Sequence, residues 1–230
     1  MKVLVTGGTG FTGKALVRRL LDLGHEVVAL DYHEGLKTEE LRQWGAQVVI
    51  GSVTDREVVR RCVAGVDVVQ HLAAAFRELN VPNSHYDEVN VGGTRIMLEE
   101  SVQAGVKRFI YCSTCGVHGN VDHPPANEEA PIQPADYYQR TKYEAEPLVM
   151  QYHKNGLPAV IIRPAAIYGP GDPERFFMIF KRVSKGFFPM FGDGKTLYHP
   201  LYIDSLIDAF ILVMERLRSE ERRVGKECRS

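Results

Sequence analysis

The chain has few cysteines, no sustained apolar run and almost no charge bias, and each of these shortages removes a class of protein. Four cysteines in 230 residues are too few for the disulfide framework of a small secreted domain. Cys112 and Cys115 have C-x-x-C spacing, but no second Cys/His pair accompanies them to complete a zinc site. Cys62, Cys112 and Cys115 are read as reduced thiols, and no metal is expected. No segment approaches the ~20 apolar residues of a membrane span. Met1-Lys2-Val3-Leu4-Val5 is too short an apolar opening for a signal peptide, so the expected location is cytoplasmic. The formal net charge is −1, and no Lys/Arg block precedes residue 218. Neither nucleic acid nor an anionic membrane surface is therefore an expected partner. Internal repeats and low-complexity linkers are also missing.

The last thirteen positions, 218–230, read RSEERRVGKECRS and resemble the conceptual translation of a sequencing-library adapter. They are set aside from fold reasoning. On that reading the natural sequence reaches only Leu217, and whatever follows residue 163 is incomplete.

What is present is a regular alternation. Short apolar runs at 2–6, 26–31, 46–50, 66–71, 107–112 and 158–163 are separated by amphipathic stretches at 13–23, 55–64, 85–104 and 135–153. Each stretch is followed closely by Gly or Pro as a stop signal. Strands alternating with helices give an α/β fold, a Rossmann-type doubly wound parallel sheet whose ligands lie beyond the carboxyl ends of the strands. After Arg163 the alternation ends. Pro164, Gly169, Pro170, Gly171 and Pro173 break the chain, an amphipathic stretch covers 174–185, and another helix-bearing segment covers 201–214. The expected organisation is a dinucleotide-binding domain over 1–163 and a small, truncated substrate lobe over 164–217.

Thr6-Gly7-Gly8-Thr9-Gly10-Phe11-Thr12-Gly13 follows the first strand and opens the first helix. Glycines there permit a tight turn and let the backbone approach a pyrophosphate at the helix N-terminus. Asp31 closes the second strand, where a carboxylate can accept hydrogen bonds from the adenosine ribose. A 2′-phosphate would meet that like charge with no Arg or Lys at positions 32 or 33 to neutralise it. NAD is thus expected over NADP. Tyr138 and Lys142 stand four apart, on one face of a helix. A phenol with a pKa near 10 is a poor base at neutral pH. One cation at ~4 Å, in an effective dielectric of about 20, supplies ~4 kcal/mol toward lowering it.

Alone, Tyr-x-x-x-Lys is a common surface pair. It gains meaning from Ser113-Thr114-Cys115-Gly116-Val117-His118-Gly119 at the end of the fifth strand, from His71-Leu72-Ala73-Ala74, and from Arg163-Pro164-Ala165-Ala166-Ile167-Tyr168-Gly169-Pro170. With the glycine loop, these segments resemble the extended short-chain dehydrogenase/reductases, the NAD-dependent epimerase/dehydratase and 3β-hydroxysteroid dehydrogenase-like enzymes, over nearly all of residues 1–217. The resemblance implies that Thr114, rather than Ser113, holds the substrate oxygen. Tyr138 is implied to move the hydroxyl proton, and Lys142 to lower the Tyr138 pKa and bind the nicotinamide ribose. It further implies that Gly7, Gly10, Phe11, Thr12 and Gly13 form the diphosphate loop, that Ser52 and Val53 meet the adenine, and that Leu72, Ala73 and Ala74 lie on the ribose side. Asn90 is implied to support the site, and Pro164 and Ala165 to pack near the carboxamide. A homodimer through the helices holding Asn90 and Tyr138 is a further implication.

Two positions bear on the substrate. Many nucleotide-sugar epimerases carry Asn where this chain has Ala166, and a diphosphate-binding Arg where it has Tyr198. Losing such a contact disfavours a polyanionic ligand. The expected function is NAD-dependent hydride transfer at a secondary alcohol or ketone of a less charged small molecule, of hydroxysteroid-dehydrogenase or dihydroflavonol-reductase type. The alternatives are a nucleotide-sugar epimerase or dehydratase with tightly held NAD and, from another class, a non-catalytic dinucleotide sensor. His118 is expected to pack rather than to act.

Overall fold

The computed structural model describes residues 1–78, 80–122, 124–172, 175–186, 188, 192–195 and 197–216. The apolar runs become β1 (Lys2–Thr6), β2 (Glu26–Asp31), β3 (Gln47–Ile50), β4 (Val68–His71), β5 (Arg108–Cys112) and β6 (Ala159–Ile162). All pair in parallel, in the order β3-β2-β1-β4-β5-β6. The order reverses between β1 and β4, which opens a crevice at their carboxyl ends.

Helices cover both faces, as the near-continuous apolar character of the strands requires. They are α1 (Phe11–Asp22), α2 (Leu36–Gln43), α3 (Arg56–Val63), α4 (Asn83–Tyr86), α5 (Thr94–Gln103), α6 (Tyr137–Lys154), α7 (Arg175–Val183) and α8 (Ile203–Arg216). Alternate strand residues feed the two layers: Leu4, Val69, Phe109 and Tyr111 pack with α3, α5 and α6, while Val3, Val5, Val68 and Ile110 pack with α1, α2 and α8. Each such side chain contributes about 1.5–3 kcal/mol of burial. Turning one strand by a single residue would send each set into the opposite layer, whose packing is shaped for other side chains.

The structure departs from the sequence reading in three places. The helix expected over 85–104 begins at Asn83 and is interrupted by a π-helical segment, Asp87–Gly93. Inside it the Thr94 hydroxyl donates to the Asn90 carbonyl at 2.7 Å, a side-chain partner that lets the backbone ladder slip by one residue. Helix α2 was not anticipated because LKTEELRQ is polar almost throughout and buries only Thr38 and Leu41. Finally, β7 (Ala166–Tyr168) and β8 (Pro200–Tyr202) form a separate parallel pair, and α8 then returns to the main sheet. Leu206, Phe210 and Met214 join Leu16 and Leu20 in one core, and Arg19 pairs with Asp208 at 2.9 Å. A boundary at residue 163 therefore separates the two sheets but not their cores. Residues 218–230 lie outside the described residues, as do Pro173 and Glu174 at the start of the expected 174–185 stretch. No described helix is long and apolar enough to cross a membrane.

Candidate active site

The glycine loop leaves β1 with Gly7 at φ +69°, where a Cβ would lie 3.0 Å from the Ala73 nitrogen. At Gly13 a Cβ would stand 2.0 Å from the Gly7 carbonyl oxygen, so only glycine lets α1 begin this close to the turn. Gly10 caps α1 with no side-chain acceptor and no acidic residue stands in its first turn. The first-turn amides, including those of Phe11, Thr12 and Gly13, have no intrahelical partner. The result is a backbone cradle at a positive helix end, suited to an anion.

Asp31 is buried at the end of β2, and its Oδ2 accepts from the Thr9 amide at 2.9 Å and the Thr9 hydroxyl at 2.7 Å. It therefore braces the glycine loop, while Oδ1 holds only a long 3.3 Å bond from the His33 amide. That oxygen keeps acceptor capacity for a ribose hydroxyl.

At the end of β5 the two hydroxyl residues separate by environment. Ser113 is buried and donates to Glu146 Oε1 at 2.5 Å. Glu146 is in turn paired with Arg163 through Nε at 2.9 Å and Nη2 at 2.5 Å, and this pairing raises the guanidinium pKa further. Arg163 also donates to His118 Nε2 at 3.0 Å, which leaves Nδ1–H to bond the Ala130 and Pro131 carbonyls. Ser113 and His118 are thus parts of a structural clasp around an ion pair. Thr114 is different: it starts a 3₁₀ turn, Cys115–His118, and its Oγ1 accepts from the Gly116 amide at 3.1 Å. Its hydroxyl proton remains available to a ligand oxygen.

Helix α6 begins at an Asp136 cap that accepts from the Gln139 amide at 2.7 Å. It carries Tyr138 and, one turn on, Lys142. The Tyr138 ring meets Phe76 edge-on at 4.8 Å. Lys142 is 1% exposed, and its Nζ lies 4.2 Å over the Tyr111 ring with no hydrogen-bond partner among the described residues. Burial holds this amine down at about 8, although Cys112 and Glu146 pull the other way. The expected lowering of the Tyr138 phenol is not found. Burial pushes it well above 10, with repulsion from Cys112, Asp136 and Cys115 adding to the effect. Desolvation of the phenolate is the largest cause.

Most of the other anticipated residues follow the carboxyl ends of β3, β4 and β6. The Leu72 and Ala73 amides bond the Thr6 hydroxyl at 3.1 and 3.0 Å, with Ala74 following them in the same turn. Buried Pro164 accepts from the Cys115 amide at 2.9 Å, which ties the β6 end, and Ala165 after it, to the Thr114 turn. Asn90 is fully buried, bonding the Ala75 amide at 2.8 Å and the Thr141 hydroxyl at 2.9 Å. Two anticipated residues present less than expected. The Val53 side chain belongs to the core, leaving only its backbone for a ligand, and the Ser52 hydroxyl is bound to its own turn through Thr54 at 2.8 Å. Sequence reasoning missed Thr6, His71 and Thr94, which form a polar chain behind the site. A signal existed: Thr6 and His71 end neighbouring strands in the same register. Burial pushes the Cys112 thiol up to about 11, and that of Cys62 likewise. Both are free, as is Cys115.

Comparison with known proteins agrees with this arrangement. The model of the NAD dependent epimerase/dehydratase family matches residues 3–225. A 2-alkyl-3-oxoalkanoate reductase of Stenotrophomonas maltophilia is 34% identical over 231 residues, covering 98% of this chain and 69% of the relative. A 3β-hydroxysteroid dehydrogenase/Δ5→4-isomerase of Mycobacterium tuberculosis is 36% identical over 228 residues, covering 94% of this chain but 60% of the relative. Among solved structures, UDP-glucuronic acid 4-epimerase of Bacillus cereus in complex with NAD superimposes with a TM-score of 0.84 at 29% identity, over 96% of this chain and 76% of that one. The chain thus belongs to the NAD dependent epimerase/dehydratase family, within the extended short-chain dehydrogenase/reductases that its glycine loop and Tyr138/Lys142 helix resemble.

Proposed function

We propose that the chain is the catalytic part of an NAD-dependent oxidoreductase that interconverts a secondary alcohol and a ketone. The observation that carries the reading is Lys142, a buried amine with no hydrogen-bond partner among the described residues, on the helix of Tyr138 in a chain with a glycine cradle. Such a group is costly to bury and is kept where a ligand completes it. The residues fit a dinucleotide. The amides at Gly10, Phe11 and Thr12 would take its diphosphate, and Asp31 Oδ1 the adenosine ribose. The backbone at Ser52 and Val53 would border the adenine, Leu72, Ala73 and Ala74 the ribose side, and Pro164 and Ala165 the carboxamide. Lys142 Nζ would donate to the nicotinamide ribose. NAD is favoured over NADP because a 2′-phosphate would face the Asp31 carboxylate.

A bound nicotinamide supplies the hydride acceptor or donor at its ring carbon. The chain's own groups manage the oxygen. Thr114 donates its hydroxyl proton to the substrate oxygen and orients it. In oxidation Tyr138 takes the alcohol proton as the carbinol C–H bond breaks, and in reduction it returns that proton to the new alkoxide. Because burial holds the phenol up, Tyr138 depends on positive charge beside it, and Lys142 is the cation one helical turn away.

Aromatic packing beside the small sheet supports a substrate class. Tyr198 packs against Phe176 at 5.9 Å, and Phe176 against Tyr168 at 5.2 Å. An aromatic cluster thus stands where a diphosphate-binding cation would serve a nucleotide sugar, which favours a less charged ketone or hydroxysteroid-like substrate. The chain spans only part of its relatives, so that choice concerns the whole protein. Tyr138→Phe tests the mechanism: NADH formation from a secondary alcohol should fall by about 10³-fold or more with NAD affinity unchanged within about twofold. Full activity in that variant would overturn it.

A further inference from the structure

We propose that His71 is a positioning residue that joins the glycine loop to the helix of Tyr138 and Lys142 through a hydrogen-bond chain of fixed direction. The proposal rests on the functional reading above. The chain runs through Thr6, His71, Thr94, Asn90 and Thr141, each with no measurable solvent exposure.

Its direction is set independently from both ends. The Thr6 oxygen already accepts from two backbone amides, those of Leu72 and Ala73. A hydroxyl has two lone pairs and one proton, so that proton goes to His71 Nδ1, 2.8 Å away. At the other end the Thr94 hydroxyl directs its proton to the Asn90 carbonyl, with the Tyr111 hydroxyl as its other neighbour. It can only accept from His71 Nε2, at 3.0 Å. Both ends therefore demand the same neutral tautomer, protonated at Nε2. The chain continues from Asn90 Nδ2 to the Thr141 hydroxyl at 2.9 Å and from that hydroxyl to the Tyr138 carbonyl at 3.0 Å.

Burial and the nearby Lys142 charge drive the imidazole pKa down to about 3, so the ring stays neutral throughout the working range. Its face packs 5.8 Å from Tyr111, the ring on which Lys142 Nζ rests. An apolar side chain of the same volume would fill the space more cheaply. The imidazole adds a rigid spacer whose two nitrogens accept from the cofactor loop on one side and donate toward the catalytic helix on the other. A fully satisfied buried network of this kind fixes one geometry.

The test uses Thr94→Val, which keeps the shape but breaks the chain, Thr94→Ser, which restores the hydroxyl, and His71→Gln. Imidazole ¹⁵N NMR of the wild type should show a slowly exchanging Nε2–H. Hydrogen exchange without ligand should quicken in T94V at both the Leu72–Ala73 turn and the first turns of α6, and return toward wild type in T94S. With NADH as probe, T94V should lose about tenfold in affinity and about tenfold in kcat, and the H71Q/T94V pair should lose no more than the worse single variant. An Nδ1–H tautomer, exchange that quickens on one side only, or variants that lower Tm while leaving affinity and kcat intact would each overturn the proposal. If H71Q does not fold, the T94V and T94S pair decides. Failure of the wild type to bind NADH would sink the functional reading instead, and the NMR and exchange results would still judge the chain.

Discussion

Replacing Lys142 by Met is expected to stabilise the fold while ending turnover. The amine is almost fully buried, lacks a hydrogen-bond partner, and sits at about 8 against an ordinary 10.5. Carrying its charge in the folded state at pH 7 thus costs roughly 3 kcal/mol relative to the unfolded chain. Met has a similar length and volume and no charge to desolvate. Allowing for imperfect repacking, the variant should gain about 1–3 kcal/mol, a rise in Tm of roughly 2–10 °C for a domain of this size. The pH dependence has a definite sign. Because the folded value lies below the unfolded one, the penalty is fully present below pH 8 and fades as pH climbs toward 10.5. The advantage of the Met variant should therefore shrink between those limits. The Cys62 thiol, held up at about 11, is common to the two proteins and cancels in the difference, whereas the Cys112 thiol is pulled down by Lys142 and rises further in the Met variant, which trims its advantage at the alkaline end as well. Scanning calorimetry of both from pH 7 to 10, beside an NADH-linked assay, is the measurement. A variant that melts below the wild type at pH 7, or that keeps wild-type turnover, refutes the reasoning.

The glycine loop and the β5 turn give two sharper mutational contrasts. Gly13→Ala puts a methyl group 2.0 Å from the Gly7 carbonyl oxygen, so NAD affinity should fall by about 100-fold or more, with Tm lowered, as isothermal titration and melting will read. Thr114→Val should cut kcat by roughly 10²–10³-fold while costing only about 1 kcal/mol of stability through the lost Gly116 bond. Ser113→Ala, whose hydroxyl braces Glu146, should lose a similar amount, about 1 kcal/mol, but keep kcat within a fewfold of wild type. Equal kinetic damage from the two would contradict the separation of their roles.

The sheet was legible because its strands are short, apolar and bounded by glycine, and because Asp31 and the glycine loop mark the ends of β2 and β1. Most helices of the main domain followed from periodicity, with α3 falling within one residue of the 55–64 stretch at each end. Helix α2 escaped notice because its exposed surface is nearly all polar, and the β7–β8 pair because each strand has three residues and its partner lies far away in sequence. The choice of Thr114 over Ser113 came from the resemblance, and only the fold reveals that Ser113 is committed to Glu146. The rise of the Tyr138 pKa escaped the sequence because spacing reveals a nearby cation but not the desolvation that burial imposes. The Thr6–His71–Thr94 chain needs tertiary packing to become visible: its members are remote in sequence, and each alone reads as an ordinary strand or helix residue.

The account stands most directly on calorimetric titration of the wild-type chain and of Asp31→Ala with NAD and NADP. It predicts NAD binding well above that of NADP, with Asp31→Ala weakening NAD and narrowing the gap between the two. No binding of either dinucleotide by the folded protein, or NADP binding as tightly as NAD, would contradict it.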